Sequence, residues 1–332
     1  MKNPFITTLF ILVFVVVGGC SHRSMNHDYP AIRELSPDTV LSELEDTFFI
    51  SPQIKCMDVC NGNLYYSDYS GEVVIVNPQY KVIKRIGFRG QGPGELLGPA
   101  HFYIANEDSL YILNEWKQNI ELFVNGQYAQ RYPFPEHERF TSLTRFFANG
   151  QHLYHSILSE KAPVIVYGIA SSLNKYLGNS TKYDKPEFVR HSTRHVVNGD
   201  GSFLVVGCVY PILQVYTYGG DLQQEYDLTN VPEIKEMVAV YNSKAQVPNQ
   251  YFTIVQDAYF CNQKLYLLIG RMEKEKYNCH TICVFHILHD RIEHEFTLYL
   301  SREVYDTFCV KENRVLYAYS ASDACIDVFN IE

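Results

Sequence analysis

The feature that most constrains this chain is a phrase it repeats. The cleanest copies are LYYSDYSGEVVIVNPQYKVIKRIG, from Leu64 to Gly87, and SLYILNEWKQNIELFVNGQYAQRY, from Ser109 to Tyr132. Each reads as strand, turn, strand, tight turn, strand, because β-branched and aromatic residues come in short runs broken by Ser-Gly, Asn-Pro or Asn-Gly. A unit of so few strands cannot bury its own faces and needs neighbours of its own kind.

The phrase recurs. Second strands are expected at Leu64–Ser67, Leu110–Leu113, His152–His155, Ser202–Val206, Lys264–Ile269 and Arg314–Tyr319, each after a matching turn such as CNGN or ANGQ. Their starts lie about 40 to 60 residues apart, which with several strands per unit means a β-propeller. Third strands follow at Glu72–Val76, Ile120–Val124, Pro163–Tyr167, Leu213–Tyr218, Thr281–Ile287 and Cys325–Asn330. The expectation is an all-β, six-bladed β-propeller of four-stranded antiparallel blades over residues 40–332, consistent with 26 Tyr and 20 Phe. The chain stops soon after the third strand of the sixth unit, so Thr47–Ile50, with its lead-in Val40–Leu44, is expected to supply the missing outer strand and close the ring.

The start of the chain carries a different signal. Lys2 precedes an apolar run from Phe5 to Val17, which as a helix spans only about 20 Å, too short for a bilayer. Residues 1–19 therefore read as a signal peptide. Val17-Gly18-Gly19-Cys20 resembles the bacterial lipobox, which implies a lipid on Cys20; residues 20–39 then read as lipidated cysteine and flexible tether. The expected place is the cell envelope, held to the membrane by the lipid anchor. Without an acidic run after Cys20 the periplasm-facing side is favoured, with the outer membrane ahead of the inner. A net charge of −9 gives no footprint for nucleic acid. Eight further cysteines follow; Cys56 and Cys60 share one strand, about 13 Å apart, and cannot bridge each other. Small buried thiols are the expectation.

In such a ring the first strand of each unit is innermost. The short turns Asn77-Pro78 and Asn125-Gly126 fall on one face, and the long excursions Gly87–Pro99, Thr229–Gln250 and Arg271–His280 on the other. Within the second, Pro232 opens a short predicted helix. Elaboration on one face marks the expected binding face.

GFRGQGPGEL, from Gly87 to Leu96 with Pro99 beyond it, resembles the blade-joining motif of bacterial six-bladed propeller lipoproteins related to the NHL-repeat and TolB-like propellers. The resemblance implies a lipid-anchored propeller and no particular ligand. Read residue by residue, Gly90, Gly92 and Gly94 permit positive φ, and Glu95 is placed to accept backbone N–H groups or to pair with Arg89. No Lys-Ser/Thr follows, so a phosphate cradle is not expected.

Groups from different blades can converge only at the channel mouth. There the inner strands supply Lys55, Cys56, His101, Arg145, His191, Arg194, Gln256, Asp257 and Asp306, a set of both signs suited to a polar ligand or to mutual pairing. His191 and His195 lie on one predicted strand about 13 Å apart and cannot share a zinc ion. On the elaborated face Trp116, Tyr69, Tyr210, Arg89 and Arg271 are candidate contacts for a partner. The leading expectation is a non-enzymatic binding or scaffold propeller for an envelope protein, peptide or glycan, with no cofactor. The alternative is a metal-dependent hydrolase or lyase of the lactonase or NHL-lyase type, with calcium in the channel.

Overall fold

Six four-stranded antiparallel sheets stand around a common axis, as the repeat requires. The structure, a computed structural model, describes residues 30–332 except 46–47, 51–52, 99, 136–137, 141–142, 160–161, 170–173, 180–191, 244–252 and 274. The signal peptide, Cys20 and His191 lie outside the described residues. Blade 1 is Met57–Cys60, Asn63–Ser67, Val73–Val76 and Val82–Ile86; blade 2 is Phe102–Asn106, Ser109–Asn114, Asn119–Val124 and Gln127–Pro133. Blade 3 is Phe147–Ala148, His152–Ser156, Val164–Gly168 and Asn174–Leu177; blade 4 is Arg194–Asn198, Phe203–Gly207, Ile212–Tyr216 and Leu222–Asp227. Blade 5 is Val255–Cys261, Lys264–Glu273, Lys276–Ile287 and Ile292–Tyr299, and blade 6 is Thr307–Lys311, Val315–Ser320 and Cys325–Asn330 with a strand from the chain's beginning.

Six hydrophobic clusters fill the six gaps between blades. Side chains alternate along a strand, so neighbours in sequence face opposite gaps. Tyr65 packs with Phe102 and Ile112 of blade 2, while Tyr66 packs with Tyr319 and Ile326 of blade 6. A blade buried on both faces must be apolar at every position, which is why the strands read as unbroken runs rather than alternating ones. The middle strands are paired in register, as with Tyr65 opposite Ile75 and Tyr319 opposite Ile326.

A strand from the chain's beginning closes the ring, as expected, but at the lead-in rather than at the stretch that follows it. Thr39–Leu41, not Thr47–Ile50, pairs antiparallel with Cys325–Asn330, placing Leu41 against Ile326. Phe48–Phe49 instead forms a small hairpin with Glu43–Glu45. Ala31–Glu34, inside the segment read as tether, adds a fifth, parallel strand to blade 5 beside Phe296–Tyr299. Arg33 lies over the Phe296 ring at 4.4 Å, and the Asp38 carboxylate accepts the Asn330 N–H at 2.8 Å. One short strap thus spans the outer edges of two blades.

Two excursions resolve differently. Pro232–Ser243 is a helix, as the proline signal predicts, seating Ile234 and Met237 in the gap between blades 4 and 5. Arg271–His280 is not a loop: the middle hairpin of blade 5 extends through it, with Arg271 opposite Asn278. Its Glu and Lys residues sit at the tip, while Met272, Tyr277 and Cys279 pack on the core clusters either side of blade 5. All eight cysteines described are free; Cys60 and Cys261 are half-buried and the other six buried.

His155 of blade 3 is fully buried, and neither ring nitrogen has a partner among the described residues. Phe134, Phe140 and Phe146 surround it, and burial lowers its pKa to about 3. A histidine depressed in the fold contributes stability fully present above its unfolded pKa, near 6.5, and lost as pH falls towards the folded value. His155→Leu should raise stability by about 1–3 kcal/mol at pH 7 and flatten the loss between pH 6.5 and 4. Urea unfolding across that range measures both.

Candidate functional site

The Arg145 side chain crosses the channel. Arg145, just ahead of the inner strand of blade 3, reaches blade 5 and grips Asp257 in a bidentate pair, Nε to Oδ1 at 2.6 Å and Nη2 to Oδ2 at 2.7 Å. Its remaining donors go to the Met57 carbonyl of blade 1 at 3.1 Å and the Phe308 carbonyl of blade 6 at 2.7 Å. Asp257 also accepts from the Thr307 hydroxyl at 2.7 Å and from the Ala258 and Phe308 N–H groups. Both residues are buried. Burial alone would raise the Asp257 carboxyl, but Arg145 and these donors hold it below the usual carboxylate range, and the pairing raises Arg145. Four blades meet at this crossbar, so the two charges are spent on each other.

Above it lies a cavity of about 340 Å³ lined by Gln53, Lys55, His101, Gln256, Asp257 and Asp306, with Ile54, Leu143 and Ala321. His101, Asp257 and Asp306 converge here as the inner-strand placement predicts, together with Lys55 and Gln256. Only 5% of His101 is exposed, and its Nδ1 has no partner among the described residues. Burial, reinforced by Arg145, lowers its pKa, so the imidazole is neutral at pH 7. Burial raises Asp306, against the Ala321 N–H, which it accepts at 2.8 Å, and Lys55. Cys56 beside the mouth is held as a thiol, its pKa pushed up to about 12 by burial. The mouth therefore offers an ammonium, a neutral imidazole, a carboxamide and a carboxyl above a sealed floor.

The other candidates are placed elsewhere. Arg194 donates to the Ser192 and Thr193 carbonyls and lies over Tyr210 at 5.5 Å, in the groove between blades 3 and 4. Arg271 ties the helix to blade 5 through Glu236 at 3.1 Å and the Tyr299 hydroxyl at 3.2 Å. Glu95 folds back over Gly90 and Gly92 and accepts the Gly92 N–H, so a side chain at Gly90 would have to displace the Glu95 carboxylate. Neither of these glycines takes positive φ; Gly94 does, at 74°, where it abuts Tyr128. Lys117 locks the crossing by donating to the Gly92 and Glu95 carbonyls. Trp116, held next to that anchor, is 78% exposed. Arg89 lies over the exposed Tyr69 ring at 5.9 Å on the same face.

Below the crossbar a second cavity of about 160 Å³ is lined by Asp58, Tyr103, Arg145, Asn198 and Tyr259 with Phe102, Phe146 and Phe260. Sequence reasoning missed it. Its signal was present in the alternation of Asp257 and Tyr259, which must share the channel side of one strand. Among the described residues no three His, Cys, Asp or Glu side chains stand together as a metal-ligating group.

No family model matches this sequence, and no curated protein does. Solved structures share the fold. A member of the DUF4221 family from Bacteroides vulgatus superposes with TM-score 0.56 at 11% identity, over 90% of this chain and 97% of that one. A protein described as exported, from Bacteroides fragilis, gives 0.56 at 11% identity over 91% and 100%. A streptogramin B lyase gives 0.51 at 12% identity over 89% and 98%. At these identities the likeness is one of architecture.

Proposed function

We propose that this chain is an envelope binding propeller, tethered through Cys20, whose channel mouth seats a polar group of a protein, peptide or glycan partner without chemical turnover. The observation that supports this reading is the mouth itself. Lys55, His101, Gln256 and Asp306 come from separate blades to one concave cavity, and the charge beneath them is already neutralised. Such a set can donate to and accept from a polar group, and the exposed Trp116 and Arg89–Tyr69 pair, outside the cavity lining, are further contacts for a large partner.

Peptide and glycan arrays probed with the purified chain test the reading. A saturable ligand should lose at least about tenfold in affinity in Lys55→Glu and in Asp306→Asn, roughly one charged hydrogen bond each. Trp116→Ala should lose less. A ligand indifferent to both mouth variants would overturn the assignment.

His101 supports a second reading, a hydrolase or lyase, since its imidazole is unprotonated and its Nδ1 has no partner among the described residues, which leaves it free to take a proton at the cavity. Loss of ester or lactone turnover in His101→Ala, with binding retained, would establish it.

A further inference from the structure

We infer that the cavity below the crossbar binds a small organic ammonium group, with Asp58 as counter-ion and aromatic rings as walls. This does not depend on the reading of the mouth, from which the Arg145–Asp257 pair separates it.

The charge balance points to the ligand's sign. Arg145 faces the cavity, but its donors are taken by Asp257, Met57 and Phe308, so it cannot receive an anion. Its charge is matched by Asp257. Asp58, on the inner strand of blade 1, makes no ion pair among the described residues, although Arg145 acts on it from beyond contact. It accepts from the Tyr259 hydroxyl at 2.6 Å and from the Val59 N–H at 2.7 Å, and both bonds fall on Oδ1. Oδ2 is the acceptor left for a ligand. Burial raises this carboxyl; an ammonium beside it would restore the ionised form.

The walls point to the ligand's shape. Tyr103, Phe102, Phe146 and Phe260, with Val196 and Val197, surround a space suited to a few heavy atoms, while the Tyr259 ring already carries the Arg145 guanidinium at 5.2 Å. Aromatic faces attract a desolvated cation, and organic ammonium loses less hydration than a bare metal ion on entering. Asn198 is fixed by Tyr103 at 3.0 Å and Tyr218 at 2.7 Å, so the polar part of the wall is rigid.

Saturation-transfer NMR and calorimetric titration of the full chain with ethylammonium and tetramethylammonium test this, with ethanol and acetate as neutral and anionic controls. The expected result is saturable binding of at least one ammonium, at about millimolar or tighter, and none of the controls. Asp58→Asn should weaken it at least about tenfold and Tyr259→Phe by a smaller factor, while Lys55→Glu leaves it unchanged. No saturable ammonium binding, or equal affinity in Asp58→Asn, overturns the inference. Should Asp58→Asn fail to fold, Tyr103→Leu takes its place, with unchanged affinity again decisive against it. A lysine-bearing peptide alongside ethylammonium separates a partner's side chain from a free amine; preference for either supports the site, and indifference to Asp58 in both overturns it.

Discussion

Asp257→Asn should destabilise the fold by about 3–5 kcal/mol, the cost of leaving a buried guanidinium without its counter-charge. The substitution keeps shape and removes charge, so the loss reports electrostatics rather than packing. Arg145→Leu should cost less. Asp257 would keep the Ala258 and Phe308 N–H groups and the Thr307 hydroxyl, and it can take up a proton where an arginine cannot lose one. The pH dependence has a definite sign. Asp257 is held below its unfolded pKa, so its contribution is present above about pH 4 and is lost as pH falls through the folded value. Chemical unfolding of the wild type and Asp257→Asn from pH 7 down to 3 should show the two converging at the acid end.

Removing the strap should be the other large effect. A chain beginning at Ser42 loses the Thr39–Leu41 pairing, the burial of Leu41 and the parallel strand Ala31–Glu34. The lost burial and hydrogen bonds come to several kcal/mol, a large part of a domain's roughly 5–15 kcal/mol margin. At about 2–4 °C per kcal/mol the melting point should fall by on the order of 10 °C or more. The bared edge of Cys325–Asn330 should also drive concentration-dependent association, since an open strand edge is a template for another chain. Calorimetry and light scattering against a chain beginning at Pro30 measure both. An unchanged melting point would mean that the strap rests on the ring without closing it.

Much of this architecture was legible in the sequence because local chemistry sets it. Turn residues such as Asn61-Gly62 and runs such as Leu64–Ser67 fix each hairpin on their own, and the repeat multiplies a weak signal six times. The closing strand was misplaced because three residues, Thr39–Leu41, carry no pattern that a neighbouring apolar stretch does not carry better. The mouth was legible at His101, Asp257 and Asp306, since position at the head of an inner strand determines where a side chain points. What could not be read was which of these groups are consumed. Arg145 and Asp257 stand 112 residues apart, and only the closed ring shows that one neutralises the other. Glu95 was legible as an acceptor for the backbone of its own crossing, and it does accept the Gly92 N–H, whereas the ties of Arg271 to Glu236 and the Tyr299 hydroxyl join elements too far apart in sequence to be read from it.

The measurement that bears most directly on the account is a double-mutant cycle between Arg145 and Asp257. If the channel is divided by a mutually satisfied pair, Arg145→Leu with Asp257→Asn should cost less than the sum of the singles. The coupling should lie in the upper part of the roughly 0.5–3 kcal/mol seen for contacting residues. Additivity within about 0.5 kcal/mol would mean that the two charges act apart, and the sealed mouth and the separate cavity below it would have no basis.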